Sequence, residues 1–298
     1  MVGYFKLIWQ TISPNMEKFR KVKNIWAAEE IMMGKNKLHQ AIPLNGLEQV
    51  SPFILLHHFN FNLTLEDAGF QVPPHPHRGF CPITFMFEGS IDHEDSLGNH
   101  HLISANEVQW INAGRGIIHS EKSVNESIQK DGRFQGIQLW INLPAVQKML
   151  PASYQPLTNE QIVLLTDKGV EFRLVSGDYK EHKGPAKSNV FTATLRMQAG
   201  SVFELDFPES DNVVFYILEG NIEINESSKV DFFHLVVFDK SDGKIKLTAA
   251  SDSKLLVMSG TPINEPLVTH GPFVMNTDTQ ILEAMRDYKM GKMGILIQ

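Results

Sequence analysis

Four side chains of this 298-residue chain stand at spacings that packing alone does not require: His75 with His77, and His119 with Glu121. Residues i and i+2 of an extended strand point to the same face. Imidazole nitrogen and carboxylate oxygen suit a divalent first-row metal, and two strands side by side in a barrel close one site from two short segments. The spacing therefore predicts one metal ion per chain, held by His75, His77, His119 and Glu121. Three neutral imidazoles and one carboxylate leave a divalent ion with a net positive charge and, in an octahedral shell, open positions for other ligands. Glu121 is the one carboxylate of the set, and so the group at the metal expected to take a proton. The adjacent pair His57-His58 points to opposite faces of a strand, cannot chelate together and reads as packing. His100-His101, beside the Gly98-Asn99 turn, reads as a solvated hairpin loop.

The elements that must position these groups are strands. Ile83-Thr84-Phe85-Met86-Phe87, a Glu88-Gly89 turn and Ser90 to Asp95 form a hairpin pattern. Lys21 to Trp26, Phe53 to Phe59, Val108 to Ile111 and Gly136 to Leu143 continue it, with Asp131-Gly132 as a turn. Pro144, Pro151 and Pro156 then break the pattern apart from a helical turn at Ala145 to Leu150. Strand patterns return at Val170 to Ser176, Val190 to Met197, Ser201 to Phe207, Val213 to Leu218, Leu235 to Phe238 and Lys254 to Ser259. Ile281, Leu282, Met285 and Tyr288 have helical spacing, opened by Asp278 or Thr279 and closed by Gly291. The expected fold is all-β: two tandem β-barrel or jelly-roll domains with a short C-terminal helix. Residues 17–143 form the first and metal-binding domain, 144–158 a linker, and 159–298 the second domain with the helix.

A formal charge of −7 and a pI near 5.9 exclude the basic field that direct nucleic-acid binding requires. No stretch reaches the roughly 18 apolar residues of a membrane span. The apolar run Tyr4 to Trp9 is too short, and too interrupted by Lys6, for a signal peptide. Met16 is an alternative start. One cysteine, Cys81, allows no internal disulfide and fits a cytoplasmic location.

The chain also repeats itself. Ile83 to Asp92 matches Val214 to Glu223 at an offset of 131 positions (220 − 89). The same offset sets Asp206, Pro208, Ala250 and Asp252 against the four expected ligands, so only the first copy carries a histidine-rich set and the second is expected to be metal-free.

These residues resemble a known family. Gly69, His75-x-His77, Gly89 and Gly116-x-x-His119 resemble cupin motifs. Pro74-His75-Pro76-His77-Arg78-Gly79-Phe80, His93-Glu94-Asp95-Ser96-x-Gly98, Gln109-Trp110, Ala113 to Glu121, and Gly271 to Thr277 resemble the pirin family within the two-domain cupins, over roughly residues 20 to 298. The resemblance implies a bicupin whose first domain binds iron(II) through His75, His77, His119 and Glu121. It also implies quercetin 2,3-dioxygenase-type chemistry on a small aromatic or enol substrate with O2, in a protein expected to be a monomer. The other activity it implies is that of a metal-dependent regulator working through a protein partner. Two positions depart from the pattern. Cys81-Pro82 stands where an acid is customary, which is expected to alter the surroundings of the ligands and lower turnover. Ser104-Ala105-Asn106 replaces a customary Pro-Gly turn. Arg78 is weighed between anchoring its loop and touching substrate.

Overall fold

The computed structural model describes residues 18–63, 69–124 and 132–297. The run at Tyr4 to Trp9, and Asp131 of the expected turn, lie outside them. Alternation sets the architecture. In the strand Phe80–Glu88, Cys81, Ile83, Phe85 and Phe87 enter one hydrophobic core, while Thr84 on the other face reaches Glu121 and Met86 packs into a separate core. Both faces are buried, as a strand between two layers requires.

Each half of the chain builds a seven-stranded sheet over a four-stranded one, all pairings antiparallel. The first large sheet runs Ser153–Leu157, Val108–Asn112, Phe80–Glu88, Arg133–Asn142, Phe53–Asn62, Asn36–Ile42, Glu29–Met33. Its small sheet runs Gln71–His77, Ile117–Ser123, Ser90–Asp95, His100–Ser104. The second large sheet runs Val22–Ala27, His234–Phe238, Asn212–Glu219, Ser253–Gly260, Phe191–Met197, Val170–Ser176, Val163–Asp167, over Val202–Leu205, Ile245–Ala249, Asn221–Ile224, Ser228–Asp231. The two orders correspond strand for strand. The fold is a bicupin, and the repeat read from the sequence is a repeat of topology. Its matched turns place Gly89 and Gly220 at φ 80° and 77°, where a side chain is strained.

Sheet membership crosses the chain divisions expected at 143 and 158. Val22–Ala27 leaves the first half to pair with His234–Phe238. Ser153–Leu157, expected as linker, pairs with Val108–Asn112. Each exchanged strand covers an edge that would otherwise expose unpaired backbone, and Pro156 is tolerated because its strand lies at the sheet's edge. His100 and His101 likewise open a strand rather than a loop, with exposed side chains.

The C-terminal segment also returns to the first half. Its helix, Asp278–Lys289, is capped by Thr277 rather than by Asp278 or Thr279, the Thr277 side chain accepting from Gln280 N–H. Ile281 and Ala284 pack with Phe273, Met275 and Met293 against Ile118, next to His119. The two large sheets meet through a shared core that includes Leu56, Cys81, Ile83, Phe85, Ile137 and Leu139 from one and Val214, Tyr216, Leu235, Leu256 and Met258 from the other. No helix among the described residues is long and apolar enough to cross a membrane.

Candidate metal centre

Strand register brings the expected ligands together. Ile117–Ser123 pairs with Gln71–His77 so that His119 lies opposite His75 and Ile117 opposite His77. One ligand nitrogen from each of His75, His77 and His119 lies within 4.8 Å of the others. The ring centroids stand 4.4 to 4.9 Å apart. Glu121 converges in a second triad of the same spread, with His119 and His93. The four residues named from the sequence thus lie in two overlapping triads that share His119, and His75, His77 and Glu121 line one cavity.

The chemistry of this donor set fits a metal ion. His77 and His119 are buried, and all four of their ring nitrogens lack a hydrogen-bond partner. Buried polar atoms are rarely left so, because each orphan costs roughly 1 to 3 kcal/mol. A cation accepting the one lone pair of each neutral ring removes the cost at that nitrogen, while the other nitrogen of each ring carries its proton. Burial, reinforced by neighbouring histidines, holds His77 and His119 well below the ordinary imidazole value, so both keep a neutral ring. His75 donates Nδ1–H to the Pro73 carbonyl at 2.9 Å, which leaves its Nε2 as a lone pair. Glu121 is buried, and its Oε1 accepts from Gln109 Nε2 and, at 3.4 Å, from the Thr84 hydroxyl.

His93, read from the sequence only as part of a motif, is fully buried beside this site. Its Nε2–H donates to Asp95 Oδ2 at 3.3 Å, and its Nδ1 lacks a partner. Against the cost of burial, hydrogen bonds from His93, Asn99 and Leu97 lower the Asp95 pKa. Asp95 thereby fixes the ring that stands behind His119 and Glu121, an arrangement that orients metal ligands elsewhere. Tyr154 stacks on the other side of His93 at 4.4 Å, with 9° between the rings.

The site opens into a cavity of about 250 Å³. Leu38, Phe59, Phe70, Ile91 and Trp140 give it apolar walls, and His57 and Gln138 add polar groups. His57 is therefore more than packing. Its neighbour His58 does point the other way, into the contact between sheets, where Nδ1 lies 3.1 Å from the Tyr216 hydroxyl. The period of two foretells that the histidines part company, but only register shows which one reaches the cavity.

Two expectations about the loop around the ligands resolve differently. Cys81 faces the core between the sheets and a separate cleft, not the metal cavity, so its replacement of the customary acid does not touch the ligands. Burial pushes its thiol up to about 12. Arg78 anchors its loop. It donates through Nε to the Arg115 carbonyl at 2.6 Å and through Nη1 and Nη2 to Asp287 Oδ2 at 3.1 and 3.2 Å. The ligand loop is thereby tied to the C-terminal helix.

Neutral buried histidines make stability depend on pH. Burial lowers His57 to about 4 and His58 to about 3, alongside His77 and His119. The unfolded chain takes up protons below about 6.5, which the folded chain refuses. Stability of the metal-free protein is therefore full above that value and falls as pH drops toward 4, by about 1 kcal/mol per pH unit for each such histidine. Denaturant midpoints at pH 7, 6 and 5 measure it, and a flat profile contradicts the assignment of neutral rings.

Comparison with known proteins adds independent findings. Residues 35–141 match the family model described as Pirin, and residues 192–294 the one described as Pirin C-terminal cupin domain. A pirin-like protein of Solanum lycopersicum is 37% identical over 257 residues, covering 83% of this chain and 84% of its own. Pirin-1 of Arabidopsis thaliana is 37% identical over 266 residues, covering 85% and 89%. The crystal structure of quercetin 2,3-dioxygenase from Acinetobacter baumannii matches with a TM-score of 0.88 at 30% identity, covering 94% of this chain and 100% of that one.

Proposed function

This chain belongs to the pirin family, and from that premise we propose that it is a metal-dependent oxygenase that opens the ring of a flavonol or related enol with O2. The observation that carries the reading is the juxtaposition of partnerless, neutral imidazoles with a small cavity whose walls are aliphatic and aromatic. The similarity to a quercetin 2,3-dioxygenase supports the same reaction class.

His75, His77, His119 and Glu121 are the proposed ligands of one iron(II) ion. Iron(II) held there would acidify a bound flavonol hydroxyl and bring the resulting enolate together with O2.

The chain's own residues do the rest. Leu38, Phe59, Phe70 and Trp140 enclose a flat aromatic body and exclude water from it. Glu121 is the proposed acceptor of the hydroxyl proton. The hydrogen bonds from Gln109 and Thr84 engage Oε1, which leaves Oε2 without a donor among the described residues, and Glu121 can take that proton only by weakening its own bond to the ion. Neutral His77 and His119 keep lone pairs for the ion at physiological pH.

Iron-loaded protein prepared without oxygen, then mixed with O2 and a flavonol, is expected to consume O2 in step with the loss of flavonol absorbance. Chelator-treated protein should do neither. Equal behaviour of the two preparations removes the enzymatic reading and puts a metal-dependent regulator acting through protein contacts in front.

A further inference from the structure

A row of polar side chains crosses the inner wall of the first barrel. Register pairs Gln109 with Thr84, Thr84 with Gln138, Gln138 with His57 and His57 with Gln40, on five adjacent strands. Directly paired residues of adjacent strands project on one side, so the row shares a face. Gln109 and Thr84, at one end, are occupied by Glu121. Gln138 and His57, in the middle, line the same cavity as His75, His77 and Glu121.

Two hydrogen-bond chains fix what this middle pair offers. The Pro43 carbonyl can only accept, and Gln40 Nε2 donates to it at 2.8 Å, which turns Gln40 Oε1 toward His57. His57 Nε2, 2.8 Å from that oxygen, must then carry the proton, and Nδ1 is left as a lone pair. Burial, which lowers His57 to about 4, keeps the ring neutral. On the neighbouring strand the Trp140 indole can only donate, and it donates to Gln138 Oε1 at 3.0 Å. The Gln138 amide group is left with its two N–H donors. Neither His57 Nδ1 nor Gln138 Nε2 bonds to another described residue. An acceptor and a donor thus stand side by side in a wall otherwise made of Leu38, Leu55, Phe59 and Trp140.

One hydroxyl satisfies both, since it donates through its hydrogen and accepts through its oxygen. We propose that His57 and Gln138 together recognise a phenolic hydroxyl on the aromatic body of the substrate, away from the group that the metal binds. This rests on the oxygenase reading, because it takes a flavonol-like body in the same cavity. It makes His57 and Gln138 specificity-determining residues. A ligand lacking that hydroxyl leaves both groups dry and unpaired, which a polar site penalises.

The test reads binding rather than turnover. Iron-loaded protein kept free of O2 is titrated with 3-hydroxyflavone, 3,7-dihydroxyflavone and 3,4′-dihydroxyflavone, following tryptophan fluorescence, to which Trp140 in the cavity wall contributes. In the wild type, one of the two added phenols should tighten binding about 10-fold over 3-hydroxyflavone, as two hydrogen bonds predict. His57→Phe, which keeps a ring, and Gln138→Glu, which keeps the acceptor for Trp140 but loses the donor, should both abolish that gain. Binding of 3-hydroxyflavone itself should weaken by no more than about 3-fold in either variant, and iron content should stay within about 3-fold. No gain in the wild type, or a gain that survives both variants, overturns the proposal while the oxygenase reading stands. Failure of iron-loaded wild type to bind 3-hydroxyflavone at all overturns both.

Discussion

His119→Ala is expected to yield a folded protein that retains under about a tenth of the wild-type iron and opens no flavonol above the rate of chelated protein. His119 is the residue common to both triads of converging ligand atoms, so its loss leaves neither of them with three members. Effects on the fold should be smaller. Removing a buried ring from a packed site opens a cavity, at a cost of roughly 2 to 5 kcal/mol. The same substitution removes two buried nitrogens without partners, each a burden of about 1 to 3 kcal/mol in the metal-free state. The two effects oppose each other, and the metal-free variant should lie within about 2 kcal/mol of the metal-free wild type. Iron content by elemental analysis and thermal melts with and without iron read this directly. The wild type should gain stability from iron, by about 4 kcal/mol at a concentration a thousandfold above Kd, and the variant should gain none. A variant that still melts higher with iron places the ion on other residues, and one that fails to fold without iron shows the centre to be structural.

What the chain discloses about this centre before folding is what a period of two can carry. His75 with His77 and His119 with Glu121 are legible because each pair lies within one strand, and strand geometry alone puts each on one face. Contacts that need register between strands are not legible. Thr84 and Gln109 hold Glu121 from two other strands, 37 and 12 residues away, and nothing local marks either as its partner. His57 was one of two adjacent histidines with no local sign of which would face the cavity. His93 lies opposite Glu121 only because Ser90–Asp95 pairs with Ile117–Ser123. Cys81 is the converse case. Its place soon after the histidine pair leaves a ligand or redox role open, but a small cysteine in a strand reads first as a buried packing residue, and its alternation with Thr84 does turn it into the core between sheets. The duplication was readable because hairpin chemistry repeats around Gly89 and Gly220. The exchange of Val22–Ala27 and Ser153–Leu157 was hidden, since edge strands interrupted by Pro or charge carry weak patterns.

Gly79→Ala should lower the melting temperature by roughly 5 to 10 °C and release the C-terminal segment from the ligand loop. Two separate effects act at this position. Gly79 holds φ at +89°, which costs an alanine about 1 kcal/mol or more. A Cβ there would also clash with the Val274 carbonyl oxygen and lie 2.9 Å from Met275 Sδ. The methionine can move, but the carbonyl belongs to backbone held in place by other bonds. Val274 N–H donates to the Arg78 carbonyl, and the Val274 carbonyl accepts from Lys148 Nζ, both at 3.0 Å. Lys148 also donates to the Gly79 carbonyl at 2.8 Å, so one buried ammonium clamps both sides of the approach. Forcing the segment away strains this clamp and the Arg78–Asp287 pair, and it withdraws Pro272 from the cavity wall. Overpacking adds about 1 to 3 kcal/mol to the backbone strain. Gly291→Ala separates the two effects, since Gly291 has φ +71° but open space around its Cβ position. That variant should lose only about 1 kcal/mol and keep the segment protected from protease. Limited proteolysis within residues 262–277, beside thermal melts, distinguishes them. If Gly79→Ala melts no lower than Gly291→Ala and is cut no faster, the close approach to Val274 does not hold the C-terminal segment on the metal loop.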